Sequence, residues 1–408
     1  MKARRLDIVG IFAGAYLIRL IYLVQISKTP LFDFLHLDPR YYHDWAARIA
    51  AGDWLGTQVF EQSPLYPYLL AIYMLAFGDD LWTLRLIQIA VGAVSCVLTY
   101  LLGRRLFDRR AGLLAAAGCA LYGPFLFYEG QVMKEFLTPP LATLALLLLL
   151  KGSEGRARLL AAAGASIAAA ALVRDNFLLL VPIFGAWLLV TSGFRLAPAL
   201  AFAAGALALL LPLAVRNAVV GGEFVLTTAG GGEVFYIGNG PYANGAYVPP
   251  PWVRSNPRYE HEDFRVKARE MTGRPLTRGE SSRFWWRQGA TWIAEHPGAA
   301  CRLWLRKLAL FWNDHELPDN YSFYTFRRFS SLLALLLTFG PVAVLAAAGG
   351  VLTLDRRREM VPLYLAGAGY MFSVLLFFNF ARFRLPIVPI LLVLAGHALT
   401  AFWDAGRG

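Results

Sequence analysis

The sequence predicts an all-α polytopic membrane protein with about ten transmembrane helices, juxtamembrane helices and a small hydrophilic domain outside the membrane. Composition is the first reason, since 57% of the 408 residues are hydrophobic and only 16% are charged. Soluble domains have about 45–50% apolar and about 25% charged residues. The second reason is that apolar residues fall in runs long enough to cross a bilayer. Together these observations exclude a purely soluble, disordered or fibrous protein.

The cations behind the net charge of +12 lie in short clusters between the apolar runs. Such clusters are typical of the cytoplasmic loops of membrane proteins. We therefore expect them in the cytoplasm, and we expect a lipid bilayer rather than nucleic acid as the partner of this charge. The main clusters are Lys2–Arg5, Arg104–Arg110, Lys151–Arg158 and Arg356–Arg358.

Ten apolar runs are expected to cross the membrane, with both termini in the cytoplasm. A further run, Pro64–Gly78, is short and is expected to lie along the outer interface, because counting it as a crossing would place basic clusters outside. The ten expected spans are Ile8–Ile26, Leu81–Gly103, Ala111–Tyr128, Phe136–Leu150, Leu159–Leu172, Phe177–Thr191, Leu196–Val215, Ser331–Leu354, Val361–Phe378 and Pro386–Trp403.

The hydrophilic stretches suggest a division of the chain into three parts. Within the middle part, patterns predict helices at Glu260–Met271 and Thr277–Glu295, the second opening with a Thr277-x-x-Glu280 capping box. The three parts are an N-terminal membrane module (1–215, with its first outer loop at 27–80), an outer domain (216–330) and C-terminal membrane helices (331–408).

Ionisable residues gather near the expected outer ends of the spans. Each would cost about 2.5–3.5 kcal/mol at the centre of a span, so each should have a partner or a function. They either line a polar cavity or contact lipid headgroups. Arg19, inside the first span, is expected to extend toward the interface. The group comprises Asp33, Asp38, Glu61, Glu129, Lys134, Glu135, Arg174, Asp175, Arg216, Arg382 and Arg384.

Two segments of this outer side allow two interpretations each. Asp38 opens the stretch Asp38-Pro-Arg-Tyr-Tyr42, and it either caps the helix that begins near Pro39 or has a catalytic role. The acidic and aromatic segment Trp312–Asp319 either contacts substrate or is a structural loop.

Several of these segments resemble a known family in order and in expected membrane side. Asp38–Gly52 resembles the D-x-x-x-Y…A…G signature of C-type membrane glycosyltransferases, especially the protein O-mannosyltransferases and lipid A aminoarabinose transferases. Glu61-Gln-Ser-Pro-Leu-Tyr-Pro-Tyr is similar to their E-x-P-P-L-x-Y segment, although Gln62 replaces the lysine of the aminoarabinose transferases. Lys134-Glu135 matches their acidic second-loop position, and Arg382-Phe-Arg-Leu-Pro386 is similar to their R-x-R-x-P turn.

The resemblance implies a C-type glycosyltransferase fold in the bacterial inner membrane. It implies an enzyme that moves a sugar from a polyprenyl-phosphate donor to a lipid, glycan or protein acceptor in the periplasm. Asp38 would be the general base of an inverting displacement, and Glu135 would assist in positioning. No cofactor is expected, and no metal, since His36 and His43 lack ligand spacing. The implied substrate-binding residues are Tyr42, Glu61, Lys134, Arg216, Arg382 and Arg384, whose cations would stabilise the leaving phosphate.

Two other classes of function remain open at this point. One is a polymerase or ligase that joins whole glycan chains, which differs mainly in its acceptor. The other is a transporter or flippase of lipid-linked sugars. Transporters commonly have inverted repeats and charges near the middle of the bilayer, whereas the charges here collect at one face.

Overall fold

The structure is a computed structural model that describes residues 2–407. Its regular elements in this range are α-helices and short 3-10 segments, with two isolated β-bridges and no strand. The prediction of an all-α fold is therefore confirmed.

The helices follow one another in three groups. The first is α1 (Lys2–Ile26), α2 (Asp38–Ala50), α3 (Leu65–Phe77), α4 (Leu81–Leu106), α5 (Arg109–Leu121), α6 (Gly123–Glu129), α7 (Thr138–Gly152), α8 (Ala157–Val173), α9 (Leu180–Thr191) and α10 (Leu196–Gly221). The second is α11 (Gly231–Asn239), α12 (Glu260–Thr272), α13 (Arg278–Glu295), α14 (Pro297–Trp312) and α15 (Phe323–Phe329). The third is α16 (Ser331–Leu335), α17 (Phe339–Leu352), α18 (Arg357–Leu375) and α19 (Val388–Ala405). The 3-10 segments are Lys134–Leu137, Asp175–Leu179, Leu354–Arg356 and Ala381–Ile387.

Within residues 2–407, five helical stretches are long and apolar enough to cross a membrane, and a bent pair, Phe339–Leu352 with Leu354–Leu375, adds a sixth. The two halves of that pair meet at 60°. The chain is thus a multi-pass membrane protein, while the total of ten spans stays a prediction. The five stretches are Arg4–Ile26, Leu81–Leu106, Lys134–Gly152, Leu196–Gly221 and Ala381–Ala405.

Two expected spans, Ala111–Tyr128 and Ser331–Leu354, are each broken in the structure, between α5 and α6 and between α16 and α17. The breaks lie side by side. The Gly123 amide donates to the Leu337 carbonyl at 2.9 Å, and the Leu337 amide donates to the Leu121 carbonyl at 2.9 Å. An unpaired backbone group in lipid costs several kcal/mol. Each break supplies hydrogen-bond partners for backbone groups that the other break leaves unpaired.

Helices α8 and α10 pack with their backbones in contact. A Cβ atom on Gly164 would lie 1.9 Å from the Phe202 carbonyl oxygen, and one on Gly205 would lie 1.8 Å from the Ala161 carbonyl oxygen. Small residues allow such close approach between membrane helices. This packing fixes α8 against α10, and Arg174 follows the last residue of α8.

The basic clusters collect at one end of the bundle. Arg109 lies 2.7 Å from Asp7, and Arg110 lies 3.4 Å from Asp404. At the opposite end of α4, Arg85 donates to the Gly130 carbonyl at 2.8 Å. The basic clusters expected in the cytoplasm therefore lie about one length of α4 away from the end of the bundle at which the outer loops begin.

Arg19 does not extend to the interface as expected. It is fully buried, and its Nε lies 2.6 Å from Glu129 Oε2. The physical reason is that a buried carboxylate on α6 offers a direct partner, which removes the need to reach water.

The outer region has a small core of its own. Ile237, Phe264 and Trp285 pack there with Phe378, which comes from the segment after α18. The two expected helices form, and Thr277 and Glu280 make the expected capping box. Helix α10 continues through the expected boundary at residue 215 as far as Gly221. The division into three domains stays a prediction.

Candidate active site

A cavity of about 780 Å³ lies between helix α2, the ends of several membrane helices and the outer region. Five of the eight site residues expected from the sequence line it, and three do not. The lining residues are Asp38, Tyr42, Glu61, Lys134 and Arg382, whereas Glu135, Arg216 and Arg384 lie outside the lining.

Asp38 is the first residue of α2, but its side chain does not cap the helix. The N-cap residue is Leu37, at φ 50°, and it makes no side-chain capping hydrogen bond. Instead, Asp38 Oδ2 accepts hydrogen bonds from both terminal nitrogens of Arg382, each at 3.0 Å. A third donor is Asn320 Nδ2, also at 3.0 Å. The capping interpretation of Asp38 is therefore wrong.

The charge of Asp38 is set by these contacts. Burial works against ionisation of Asp38, but the Arg382 guanidinium and the Asn320 amide outweigh it and hold the pKa of the carboxyl below its ordinary value. All three hydrogen bonds go to Oδ2, and Oδ1 has no protein donor within residues 2–407. The second oxygen is thus available to a group in the cavity.

Arg382 is the centre of a larger ionic cluster. Besides Asp38, its Nε lies 3.0 Å from Asp319 Oδ2 and its Nη1 lies 3.5 Å from Glu135 Oε1. Its side chain is only 9% exposed. One guanidinium thus faces three carboxylates, of which Asp38 and Asp319 line the cavity.

Glu135 lies behind the cavity wall. Its side chain is 1% exposed, and Oε1 lies 2.6 Å from Arg174 Nη2. Arg174 itself lines the cavity. Glu135 therefore contacts two cavity cations, Arg174 and Arg382, from the side away from the cavity.

Lys134 is the cavity cation that has no counter-ion among residues 2–407. Its Nζ lies 5.6 Å from the centroid of the Tyr42 ring. Among the residues that the structure describes, no carboxylate oxygen lies within 4.0 Å of it. The neighbouring cations Arg174 and Arg382 are both paired, so Lys134 is the one poised to meet an anion from outside the protein.

Glu61 lies at the edge of the cavity and is already paired. Its carboxylate contacts Arg278 at 2.9 Å and also contacts Arg265. Both arginines belong to the outer region, on α13 and α12. Glu61 therefore joins the loop before α3 to the outer region.

Arg216 and Arg384 do not reach the cavity. Arg216 donates to the carbonyls of Leu55 and Gln58, the latter at 2.7 Å, and thus holds the first outer loop. Arg384 is buried against Glu316 and stacks 4.0 Å from the Phe339 ring centroid. Both side chains therefore hold other segments of the protein in place.

Asn320 and Glu260 are among the polar residues at the cavity wall that sequence reasoning missed. Asn320 holds Asp38, and its spacing from Asp38 gives no signal of this contact. Glu260 accepts a hydrogen bond from the Tyr247 hydroxyl, and burial raises its pKa to about 7. Within residues 2–407 no three His, Cys, Asp or Glu side chains form a group suited to a metal ion. A reaction independent of metal stays a prediction.

The membrane side of the cavity is apolar. It is formed by the residues just before α9 and by the segment that follows α18. Tyr247 of the outer region packs against this wall, with its ring centroid 5.2 Å from that of Phe378. The apolar lining residues are Leu178, Leu179, Val374, Leu376, Phe377, Phe378, Phe380 and Phe383.

The sequence is similar to known proteins over part of its length. Residues 61–215 match the family described as dolichyl-phosphate-mannose-protein mannosyltransferase. An undecaprenyl phosphate-alpha-4-amino-4-deoxy-L-arabinose arabinosyl transferase of Pseudomonas paraeruginosa is 33% identical over 153 residues, which cover 35% of this chain and 27% of the relative. A second enzyme of that name from Pseudomonas fluorescens is 31% identical over 160 residues, covering 36% and 27%. The match spans about a quarter of the length of these curated relatives.

The fold is similar over nearly the whole chain to a solved membrane enzyme. The crystal structure of the Archaeoglobus fulgidus oligosaccharyltransferase in the apo form superimposes with a TM-score of 0.55 at 15% identity, covering 98% of this chain and 51% of that one. At this identity the likeness shows a shared fold. The family match over residues 61–215 confirms the resemblance that the sequence predicted: this part of the chain is similar to the dolichyl-phosphate-mannose-protein mannosyltransferase family.

Proposed function

We propose that this protein transfers a sugar from a polyprenyl-phosphate donor to a periplasmic acceptor at the bacterial inner membrane, with Asp38 as the general base. One observation carries the proposal. The unbonded oxygen of an ionised Asp38 shares a cavity with Lys134, a cation that has no counter-ion among the described residues. A base beside an anion site is the arrangement that displacement of a phosphate by a hydroxyl requires.

The chemistry is a single displacement with inversion. The acceptor oxygen attacks the anomeric carbon while its proton passes to Asp38 Oδ1. The bond from that carbon to the phosphate oxygen breaks, and the phosphate leaves with the electron pair. The low pKa of Asp38 keeps it ionised and ready to accept the proton at neutral pH.

The leaving phosphate is stabilised by Lys134 and Arg382. Lys134 needs no rearrangement to bind it, and Arg382 offers a planar set of donors that suits phosphate. Arg216 and Arg384 have no part in this step, because their donors bind carbonyls and Glu316. Glu135 acts as a positioning residue that orients Arg174 and Arg382.

The two sides of the cavity suit the two substrates. The apolar wall near Leu179 and Phe383 matches the polyprenyl chain of a lipid-linked donor. The wall near Glu260 and His261 belongs to the hydrophilic outer region, so we assign the acceptor to that side. The opposite end of the bundle carries the basic clusters, which favours a periplasmic cavity under the positive-inside rule. We also propose that ten segments span the membrane and that both termini lie in the cytoplasm.

The test is a transfer assay with purified protein in lipid nanodiscs. The donors are undecaprenyl-phosphate aminoarabinose and undecaprenyl-phosphate mannose, and the acceptors are extracted envelope glycolipids and proteins. We expect one sugar per acceptor by mass spectrometry, a loss of about 10²–10⁴-fold in kcat for Asp38→Asn, and full activity for Asp33→Asn, whose side chain is exposed.

Two results would contradict the proposal. Attachment of long glycans would indicate a polymerase or ligase. Counterflow of lipid-linked sugar in proteoliposomes without covalent product would indicate a flippase.

A further inference from the structure

Every nitrogen of the Arg382 guanidinium faces a carboxylate in the structure. Its terminal nitrogens donate to Asp38, and one of them also faces Glu135 at 3.5 Å. Its Nε faces Asp319 at 3.0 Å. A phosphate that is to be bound by this guanidinium must therefore displace one of the three carboxylates.

Asp319 is the carboxylate held least firmly. Although Asp319 Oδ2 and Arg382 Nε are 3.0 Å apart, their geometry is not that of a hydrogen bond, and neither atom has another partner in the part of the chain described. Asp38 has three well-formed hydrogen bonds, and Glu135 is fixed by Arg174 at 2.6 Å. The contact of Glu135 with Arg382 is longer, at 3.5 Å, but the hydrogen bond from Arg174 fixes Glu135 in place. Asp319 is therefore the carboxylate that can most easily leave Arg382.

Asp319 is also the carboxylate best placed to move. It lines the cavity, whereas Glu135 does not. It lies in the connection between α14 and α15, outside any helix. Its neighbour Asn320 holds Asp38 by two hydrogen bonds and does not depend on Asp319 for them.

We propose that Asp319 occupies the Nε edge of Arg382 in the empty site and yields that edge to the phosphate of the donor. The inference rests on the proposed function, since it takes Arg382 as a phosphate ligand. It assigns Asp319 as a residue that controls donor binding, distinct from Asp38, which accepts the proton.

The proposal predicts that donor binding depends on whether Asp319 is protonated. The charged or titratable groups that face Asp319 are Arg382, Asp38, Glu135, Tyr128 of α6 and, on its own loop, Glu316. Burial raises the pKa of Asp319 to about 6, against the opposing effect of Arg382. Protonated Asp319 does not compete for Arg382, so the donor phosphate binds more tightly as the pH falls toward 5.

The experiment measures the affinity of the full-length protein in nanodiscs for farnesyl methyl phosphate. This short polyprenyl phosphodiester keeps a single fixed charge, so its own titration does not contribute. If the phosphate requires protonated Asp319, wild type should bind about 30-fold more weakly at pH 7.5 than at pH 5. Asp319→Asn should lose most of this pH dependence and should bind at pH 7.5 nearly as tightly as wild type does at pH 5. The part that remains is assigned to Glu260, which lines the same cavity with a pKa of about 7.

The control is Asp314→Asn, on the same loop but outside the cavity. Its affinity for farnesyl methyl phosphate should change with pH as that of wild type does. A purely structural role predicts the opposite result for Asp319→Asn, namely weaker binding at both pH values, and would overturn the inference. The wild-type titration stands without any variant, and affinity that is flat from pH 5 to 7.5 would also overturn it. Absence of both binding and sugar transfer would instead contradict the proposed function.

Discussion

Asn320 holds Asp38 by two hydrogen bonds, because its Oδ1 accepts from the Asp38 backbone amide at 3.1 Å and its Nδ2 donates to Asp38 Oδ2 at 3.0 Å. The amide thus fixes both the start of α2 and the carboxylate at that position. It does so with one oxygen of Asp38 and leaves the other to the cavity.

Replacement of Asn320 by alanine should therefore lower kcat more than it changes the donor KM. A hydrogen bond to a charged group contributes about 1.5–3 kcal/mol, so we expect a loss of about 10- to 100-fold in kcat. Steady-state transfer kinetics check this. Asn313→Ala, seven positions earlier and outside the cavity, should retain the wild-type kcat. Equal losses in both variants would show a general effect on the loop instead.

Replacement of Lys134 by glutamine should raise the donor KM. The lysine has no carboxylate within 4.0 Å among the described residues, so its removal leaves no buried anion unpaired. Loss of one charge-assisted contact to phosphate should cost about 1.5–3 kcal/mol, or about 10- to 100-fold in KM. Lys134→Arg should recover part of this affinity. Lys151→Gln, at the opposite end of α7, serves as the control, and an unchanged KM in Lys134→Gln would remove Lys134 from the phosphate site.

Arg384 and Glu316 should affect stability rather than donor binding. Both side chains are 2% exposed and form an ion pair. Removal of one partner from a buried pair costs about 3–5 kcal/mol, whereas replacement of both by apolar residues is close to neutral. We expect Arg384→Met to be destabilised and the double variant with Glu316→Leu to recover most of the loss, as measured by unfolding in mixed micelles. A raised donor KM in the folded double variant would show instead that Arg384 binds the donor phosphate.

Lys307 should make stability depend on pH. It is buried between α14 and the end of α18, where Nζ donates to Asn239 Oδ1 at 2.8 Å and to the Leu375 carbonyl at 3.2 Å. Burial lowers its pKa to about 7. Between about pH 10 and pH 7 the unfolded chain binds a proton that the folded protein does not, so the free energy of unfolding falls as the pH drops.

Lys307 alone should contribute a fall of about 2 kcal/mol in the free energy of unfolding between pH 9 and pH 7. It should disappear in Lys307→Met and persist in Lys267→Met, whose side chain is 39% exposed. Unfolding curves at several pH values provide the measurement. Identical slopes for wild type and Lys307→Met would show that Lys307 keeps its proton in the folded protein.

The sequence predicted the parts of the site that local chemistry marks. A charge at membrane depth is costly, so Asp38, Lys134 and Arg382 stood out against their apolar surroundings. The helices 260–272 and 278–295 were predicted because periodicity and a capping box are local signals. The same signals do not show helix breaks that other segments stabilise, such as the break within the expected span Ser331–Leu354.

By itself, the sequence determined that this is a helical membrane protein with the ionisable residues of its candidate site near one end of the bundle and its basic clusters near the other. Only the tertiary structure decided which of them meet. Asp38 lies 282 positions from Asn320 and 344 from Arg382, and contacts across such separations depend on how the helices pack. Packing also placed Arg384 against Glu316 and Arg216 against the first outer loop. A guanidinium takes the acceptors that packing brings near it, and here those acceptors come from distant segments.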